Sequence, residues 1–147
     1  MRWRLVDRIT AFEPWARIAG RKAASLEEYS LLERLGRPGE VPETLLLECA
    51  VQLAAWLVIR SSGGQQTALL ESVSDLRFAG RVGAGGAVET RARVERRDGD
   101  RLDVAWKSDS EGKPVGSARM TLTIVPLANL CDPERVETLW RELYAPA

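Results

Sequence analysis

The segment 44–60 constrains this chain more than any other. It is rich in Leu and Ala, contains neither Gly nor Pro, and stops at Ser61-Ser62-Gly63-Gly64. Strong helix formers followed by glycine predict a helix with a defined C-terminal stop. The segment is apolar almost all round, so the helix is expected to be buried, with other structure wrapped about it. Its longest apolar stretch, 45–59, is interrupted by Glu48 and Gln52, so it is expected to be too short and too polar to span a bilayer.

After this helix the hydrophobic period falls to two. Residues 67–78, 87–96, 101–110 and 115–125 read as strands. Val88, Thr90, Ala92 and Val94 alternate with Glu89, Arg91, Arg93 and Glu95, giving one dry and one wet face, and Met120, Leu122 and Ile124 repeat the pattern with Thr121 and Thr123. Asp98-Gly99 predicts a type I′ hairpin, and Glu111-Gly112 does the same for the next pair. Ahead of the helix, 5–13 reads as a strand ending at Pro14 and 17–24 as a second strand. Tyr29, Leu32 and Leu35 give 26–35 a helical spacing closed by Gly36, and 37–42 reads as a loop. Asp132-Pro133 supplies a capping residue and an N1 proline for a last helix, with Val136, Leu139, Trp140 and Leu143 as its apolar stripe. The expected layout is two strands, a central buried helix and a four-strand antiparallel meander, an α+β class in one domain over 1–147.

The chain has no histidine among its 147 residues, which removes Ser-His-Asp triads, His-ligated zinc and imidazole bases. Lys plus Arg and Asp plus Glu are 21 each, for a net charge of zero. That balance argues against nucleic-acid or membrane-surface partners. Cys49 and Cys131 allow one bridge, but the expected reading is two small apolar residues in a reducing compartment, with no zinc site. Met1-Arg2-Trp3-Arg4 is followed by no apolar signal core, so a cytoplasmic location is expected. Gly83-Ala84-Gly85-Gly86 lacks the lysine and the strand-to-helix setting of a phosphate loop and reads as a connection between strands. Trp3, Trp15, Trp56, Trp106 and Trp140 are spread over the elements as core and interface anchors.

Glu48 and Gln52 stand four residues apart and so share a helix face, which Trp56 and Arg60 continue. A carboxylate between Leu45-Leu46-Leu47 and Cys49-Ala50-Val51 is expensive to bury. It must be paired, neutralised, or turned toward a cavity. Two readings stay open on the pattern alone. Glu48 is tied structurally by Gln52, Arg60 or another Arg, or it faces a site.

The residues also carry a resemblance. Leu5-Val6-Asp7-Arg8-Ile9 is similar to the opening L-V-D-R-[VI] of the FabA/FabZ-type 3-hydroxyacyl-acyl-carrier-protein dehydratases. That family's main motif runs H-F-P-G-x-P-x-x-P-G-x-L-x-x-E-A-x-A-Q, and Pro42, Leu45, Glu48 and Gln52 match it without a gap, with small Ala50 packing between. Arg77-Phe78, Val82 and Gly85 fall on R-F-x-x-P-V-x-P-G-D. The resemblance implies a hot-dog fold, an antiparallel sheet wrapped around a central helix, and a homodimer with an acyl tunnel at the subunit interface. It implies Glu48 as the catalytic acid with Gln52 orienting it, and Arg34, Pro42, Glu43 and Phe78 as substrate-binding positions. No cofactor or metal is implied. The implied partner is a thioester of acyl carrier protein or CoA.

The departures bear on the chemistry. The family's histidine falls on Arg34, its F-P-G on Leu35-Gly36-Arg37, its Pro-Gly-Asp on Ala84-Gly85-Gly86, and its carbonyl-binding glycine on Glu43, whose backbone N–H survives. Dehydration of a 3-hydroxyacyl thioester needs a base, an oxyanion donor and an acid. Arginine cannot serve as the base, and Glu33 is the nearest other candidate. Three readings follow. The first is a dehydratase-like protein acting on or binding 3-hydroxyacyl or enoyl thioesters in fatty-acid or polyketide metabolism. The second is a non-catalytic subunit pairing with a His-bearing relative, and the third a His-free thioesterase using Glu48. Arg91, Arg93, Arg96, Arg97 and Arg101 alternate with Glu89, Glu95 and Asp98 as a solvated strand face, the alternative being a patch for an acidic carrier protein or carrier phosphates.

Overall fold

A computed structural model describes residues 4–24, 40–83 and 85–146. The short helix expected over 26–35, and with it Glu33, Arg34 and Trp3, lie outside the described residues, as do residues 37–39 of the expected 37–42 loop.

The strands are β1 (Arg8–Glu13), β2 (Arg17–Ala23), β3 (Gln66–Phe78), β4 (Ala87–Asp98), β5 (Arg101–Ser110) and β6 (Lys113–Pro126). Helix α1 (Glu43–Ser61) stands between β2 and β3 in the chain, and helix α2 (Pro133–Leu143) closes it. Residues 5–7, expected in the first strand, lead into it: the ladder begins at Arg8.

All six strands form one antiparallel sheet in the order β1-β2-β4-β5-β6-β3. This corrects the expected four-strand meander. Of the four strands after α1, only β4, β5 and β6 lie beside their neighbours in sequence. The edge of β4 that β3 would occupy is taken by β2, so β3 pairs with β6 instead. The 79–86 connection makes the crossing and is pinned at both ends of its turn: the Ala24 N–H donates to Gly86 O and the Val41 N–H to Val82 O, each at 2.8 Å.

One of the two hairpins differs from expectation in turn type. At the β4–β5 turn only Gly99, the first of the two central residues, has positive φ (57°), a II′ pattern rather than I′. Asp98 stays in the ladder opposite Arg101, which shifts the glycine to the first turn position. At β5–β6 both Glu111 (φ 51°) and Gly112 (φ 74°) are left-handed, the I′ form.

One sheet face packs on α1, mainly through β3, β4 and β2. Leu46, Ala50, Leu53, Ala54, Leu57 and Val58 of the helix meet Ile18, Val88, Ala92, Val104, Trp106, Met120 and Leu122 in one core. Contact is close enough to demand glycine at two places. A Cβ on Gly116 would stand 2.9 Å from the Trp106 ring, and one on Gly20 would stand 2.9 Å from Leu53 Cδ1. The expected helix wrapped on all sides is found on one side only. Leu45, Leu47, Val51, Gln52, Ala55 and Trp56 are half-buried and Glu48 is exposed.

Helix α2 behaves as its sequence predicts. Asp132 accepts a hydrogen bond from the Glu134 N–H, Pro133 is the first helical residue, and Val136, Trp140 and Leu143 are buried. Trp140 stacks on Tyr144, tilts against Trp56 and receives the Phe12 ring edge-on. Neither cysteine is in a disulfide, and Cys49 is buried.

Candidate functional site

Helix α1 places the Glu48–Gln52 pair. Pro42 precedes its first turn without a side-chain cap, and Glu43 opens it exposed, with its charge favourable beside the positive end of the helix dipole. Glu48 is one turn in from there and Gln52 one turn further. Cys49 and Leu53 anchor the buried side of the same stretch, at 3% and 0% exposure.

The Gln52 Nε2 donates to Glu48 Oε1 at 3.1 Å. The Leu5 main-chain N–H donates to Gln52 Oε1 at 3.0 Å. These two bonds set the sense of the amide. A main-chain N–H is only a donor, so the oxygen of Gln52 must face Leu5 and its NH₂ must face Glu48. Leu5 is held by burial, at 1% exposure, and by the next turn of chain, where the Asp7 N–H donates to Arg21 O and the Asp7 carboxylate accepts from the Ala23 N–H at 2.7 Å. Sequence reasoning found the Glu48–Gln52 pair but not Leu5, because a main-chain donor leaves no mark in residue identity.

Arg60 is not a partner of Glu48. Its guanidinium pairs with Glu137 at 2.5 Å and lies 4.7 Å over the Trp140 ring, fastening α2 to the end of α1. Of the remaining positions, Pro42 precedes and Glu43 opens the helix that carries Glu48, while Phe78 ends β3 with its ring edge-on to Trp106 at 6.4 Å. Glu48 is therefore neither sealed in packing nor bound to a guanidinium among the described residues. It faces outward on the uncovered side of α1.

A polar cleft of about 550 Å³ lies elsewhere, lined by Arg21, Gly86, Glu89, Arg91, Asp109 and Glu111 among others, and neither Glu48 nor Gln52 lines it. Among the described residues no three Cys, Asp or Glu side chains are grouped to hold a metal ion.

No protein-family model matches the sequence, and the search of curated proteins returns no match. Solved structures do resemble it. A hot-dog-like protein from Thermanaerovibrio acidaminovorans superposes with TM-score 0.67 at 17% identity, covering 88% of this chain and 93% of that one. A thioesterase superfamily member from Thermus thermophilus gives 0.66 at 18% identity, covering 89% and 92%. A hypothetical thioesterase from Streptococcus pneumoniae, solved with coenzyme A, gives 0.66 at 10% identity, covering 81% and 85%. This chain has the hot-dog fold.

Proposed function

We propose that this protein binds acyl thioesters of coenzyme A or acyl carrier protein and hydrolyses them, with Glu48 as general base. The observation that carries the reading is the amide sense of Gln52. With its oxygen taken by Leu5, it offers Glu48 a donor. A donor on one carboxylate oxygen fixes the direction in which Glu48 presents the other. The resemblance to the dehydratases concerns this same side chain, but there it is the acid.

The chemistry separates the two reactions. In hydrolysis Glu48 takes a proton from water, the new C–O bond forms at the thioester carbonyl, and the tetrahedral oxyanion collapses with cleavage of the C–S bond. A thiol has a pKa of about 8.5, so the thiolate departs without a general acid. Eliminating hydroxide, a far more basic and poorer leaving group, requires protonation and a separate base. The chain has no histidine to complete that pair. The N–H groups at the start of α1, including that of Glu43, supply donors of the kind an oxyanion needs, next to the positive end of the helix dipole. The solved relatives include a thioesterase with coenzyme A and a Streptococcus mutans protein bound to acetyl-CoA, which agrees with a thioester ligand.

The reading includes a second hot-dog chain. The uncovered face of α1 and the sheet-edge strand β3, with Leu69, Leu70 and Leu76 exposed, are the apolar surfaces such a chain would cover. It is either a second copy or a His-bearing relative. The absence of histidine favours the relative if this subunit is non-catalytic.

Free-thiol release from acyl-CoA of graded chain length tests the proposal, with Glu48→Gln as the control. Loss of a general base is worth about 10²–10⁴ in rate. Equal turnover by wild type and Glu48→Gln would refute the role of Glu48. Enoyl-thioester formation from a 3-hydroxyacyl thioester, in place of thiol release, would return the protein to the dehydratase reading. Native mass spectrometry, alone and after co-expression with a His-bearing relative, decides the pairing.

A further inference from the structure

The outer face of the sheet, opposite α1, carries an arrangement of charge that folding alone disfavours. In one row across four strands Arg91 faces Lys107, Lys107 faces Ser117, and Ser117 faces Arg77. In the adjacent row Arg17 faces Arg93, and Ala105 separates Arg93 from Arg119. At the far edge Arg8 faces Arg21. Three cross-strand pairs therefore set cation against cation: Arg8–Arg21, Arg17–Arg93 and Arg91–Lys107. Like charges directly opposite in a ladder destabilise it.

Neighbouring carboxylates neutralise this face only in part. Arg17 pairs with Glu13 at 2.9 Å and Arg91 with Asp109 at 2.7 Å, while Arg93 and Arg119 share Glu95 at 3.9 and 3.7 Å. Arg8, Arg21, Arg77 and Lys107 make no ion pair among the described residues. These rows hold eight cations and four carboxylates (Glu13, Glu89, Glu95 and Asp109), on a chain whose net charge is zero. The surplus is thus segregated to one face. Along the chain, Arg8 lies three residues from Leu5, whose N–H meets Gln52.

We infer that this face is a docking surface for an acidic protein, the partner that delivers the thioester. The inference rests on the thioester reading above for what the partner carries, and on charge complementarity for where it binds. An exposed, cation-rich sheet face suits the side-chain carboxylates of a folded acidic surface. Electrostatic attachment of this kind speeds association and weakens with salt.

The test uses the full chain and a thioester-loaded acyl carrier protein as probe, with binding followed by calorimetry at rising ionic strength. Wild type is expected to bind, with affinity falling at least tenfold between about 50 and 300 mM salt. The double variant Lys107→Glu with Arg77→Glu is expected to lose at least tenfold in affinity for the carrier while turning over acyl-CoA at the wild-type rate. Lys107→Glu alone places a carboxylate opposite Arg91 and is expected to raise the melting temperature by about 1–3 °C. Higher stability with weaker binding is a pairing that a merely solvated face does not produce. Unchanged carrier affinity in the double variant, affinity independent of salt, or preferential binding of RNA over the acidic protein would overturn the inference. If wild type hydrolyses no thioester, the hydrolase reading fails, but the binding curves still decide the surface.

Discussion

Replacing Gln52 by leucine isolates the relay from Leu5 to Glu48. Leucine is at least as good a helix former as glutamine and suits a half-buried position, so helix and packing terms change little. Two bonds are lost. The Gln52 donor to Glu48 is charge-assisted, and such bonds contribute about 1.5–3 kcal/mol. Only the positioning of Glu48 bears on the barrier, and at an exposed carboxylate its loss is expected to lower kcat/KM by about tenfold. The second loss strands the Leu5 N–H, which is part-buried, at about 1–2 kcal/mol of stability. For a chain of this size that is about 3–8 °C in Tm. The assay pairs thiol release from acyl-CoA with urea denaturation of the same samples. Gln52→Glu provides a contrast: its carboxylate also accepts from Leu5 but faces Glu48 with like charge, so activity is expected to fall further than in Gln52→Leu. An active wild type whose kcat/KM is untouched by Gln52→Leu would refute the reasoning, whatever happens to stability.

Two further predictions concern the fold. Ser108 is buried and its hydroxyl accepts from Trp106 Nε1 at 2.6 Å and bonds Thr90 Oγ1 at 2.8 Å, so Ser108→Ala should cost about 2–4 kcal/mol and lower Tm by about 5–15 °C in calorimetry, while a shift under about 2 °C would show the network to be dispensable. The Thr121 hydroxyl, and after it Arg101 and Arg96, hold the Asp103 carboxyl below its ordinary 3.8 against the opposing effect of desolvation. Its contribution to stability is therefore present above the unfolded value and lost as pH falls through the lowered folded one. Urea midpoints measured at neutral pH and near pH 2.5 should differ less in Thr121→Val than in wild type, and an equal difference would remove Thr121 as the cause.

Much of the fold was legible because local and global preferences agree in this chain. The Gly- and Pro-free run, the capped Asp132-Pro133 start and the period-two strands each came out within a few residues of expectation. The strand order was not legible. Period-two patterning says which residues face the core, not which strand lies beside which, and nothing in β3 announces that its partner is β6. The turn types depended on whether the glycine falls at the first or second central position, which is a register question. At the site, helical spacing sufficed to pair Glu48 with Gln52. That Glu48 is exposed, that Arg60 is engaged by Glu137, and that Leu5 orients the amide are tertiary facts. The cation-against-cation pairs were likewise hidden, because the alternation of Arg and Glu along β4 looks balanced until β2 and β5 are laid beside it.

The position of β3 has a consequence for how the chain is made. It is completed well before β6, its one neighbour in the sheet, since Gln66 pairs with Pro126 and Phe78 with Gly116. During vectorial synthesis, β3 emerges with both margins open and with Leu69, Leu70 and Leu76 on display. Ladders closed over such sequence separations form slowly. A nascent chain halted before the last strand would hold its most adhesive segment without a mate, and chaperone demand should peak there, ahead of the arrival of α2.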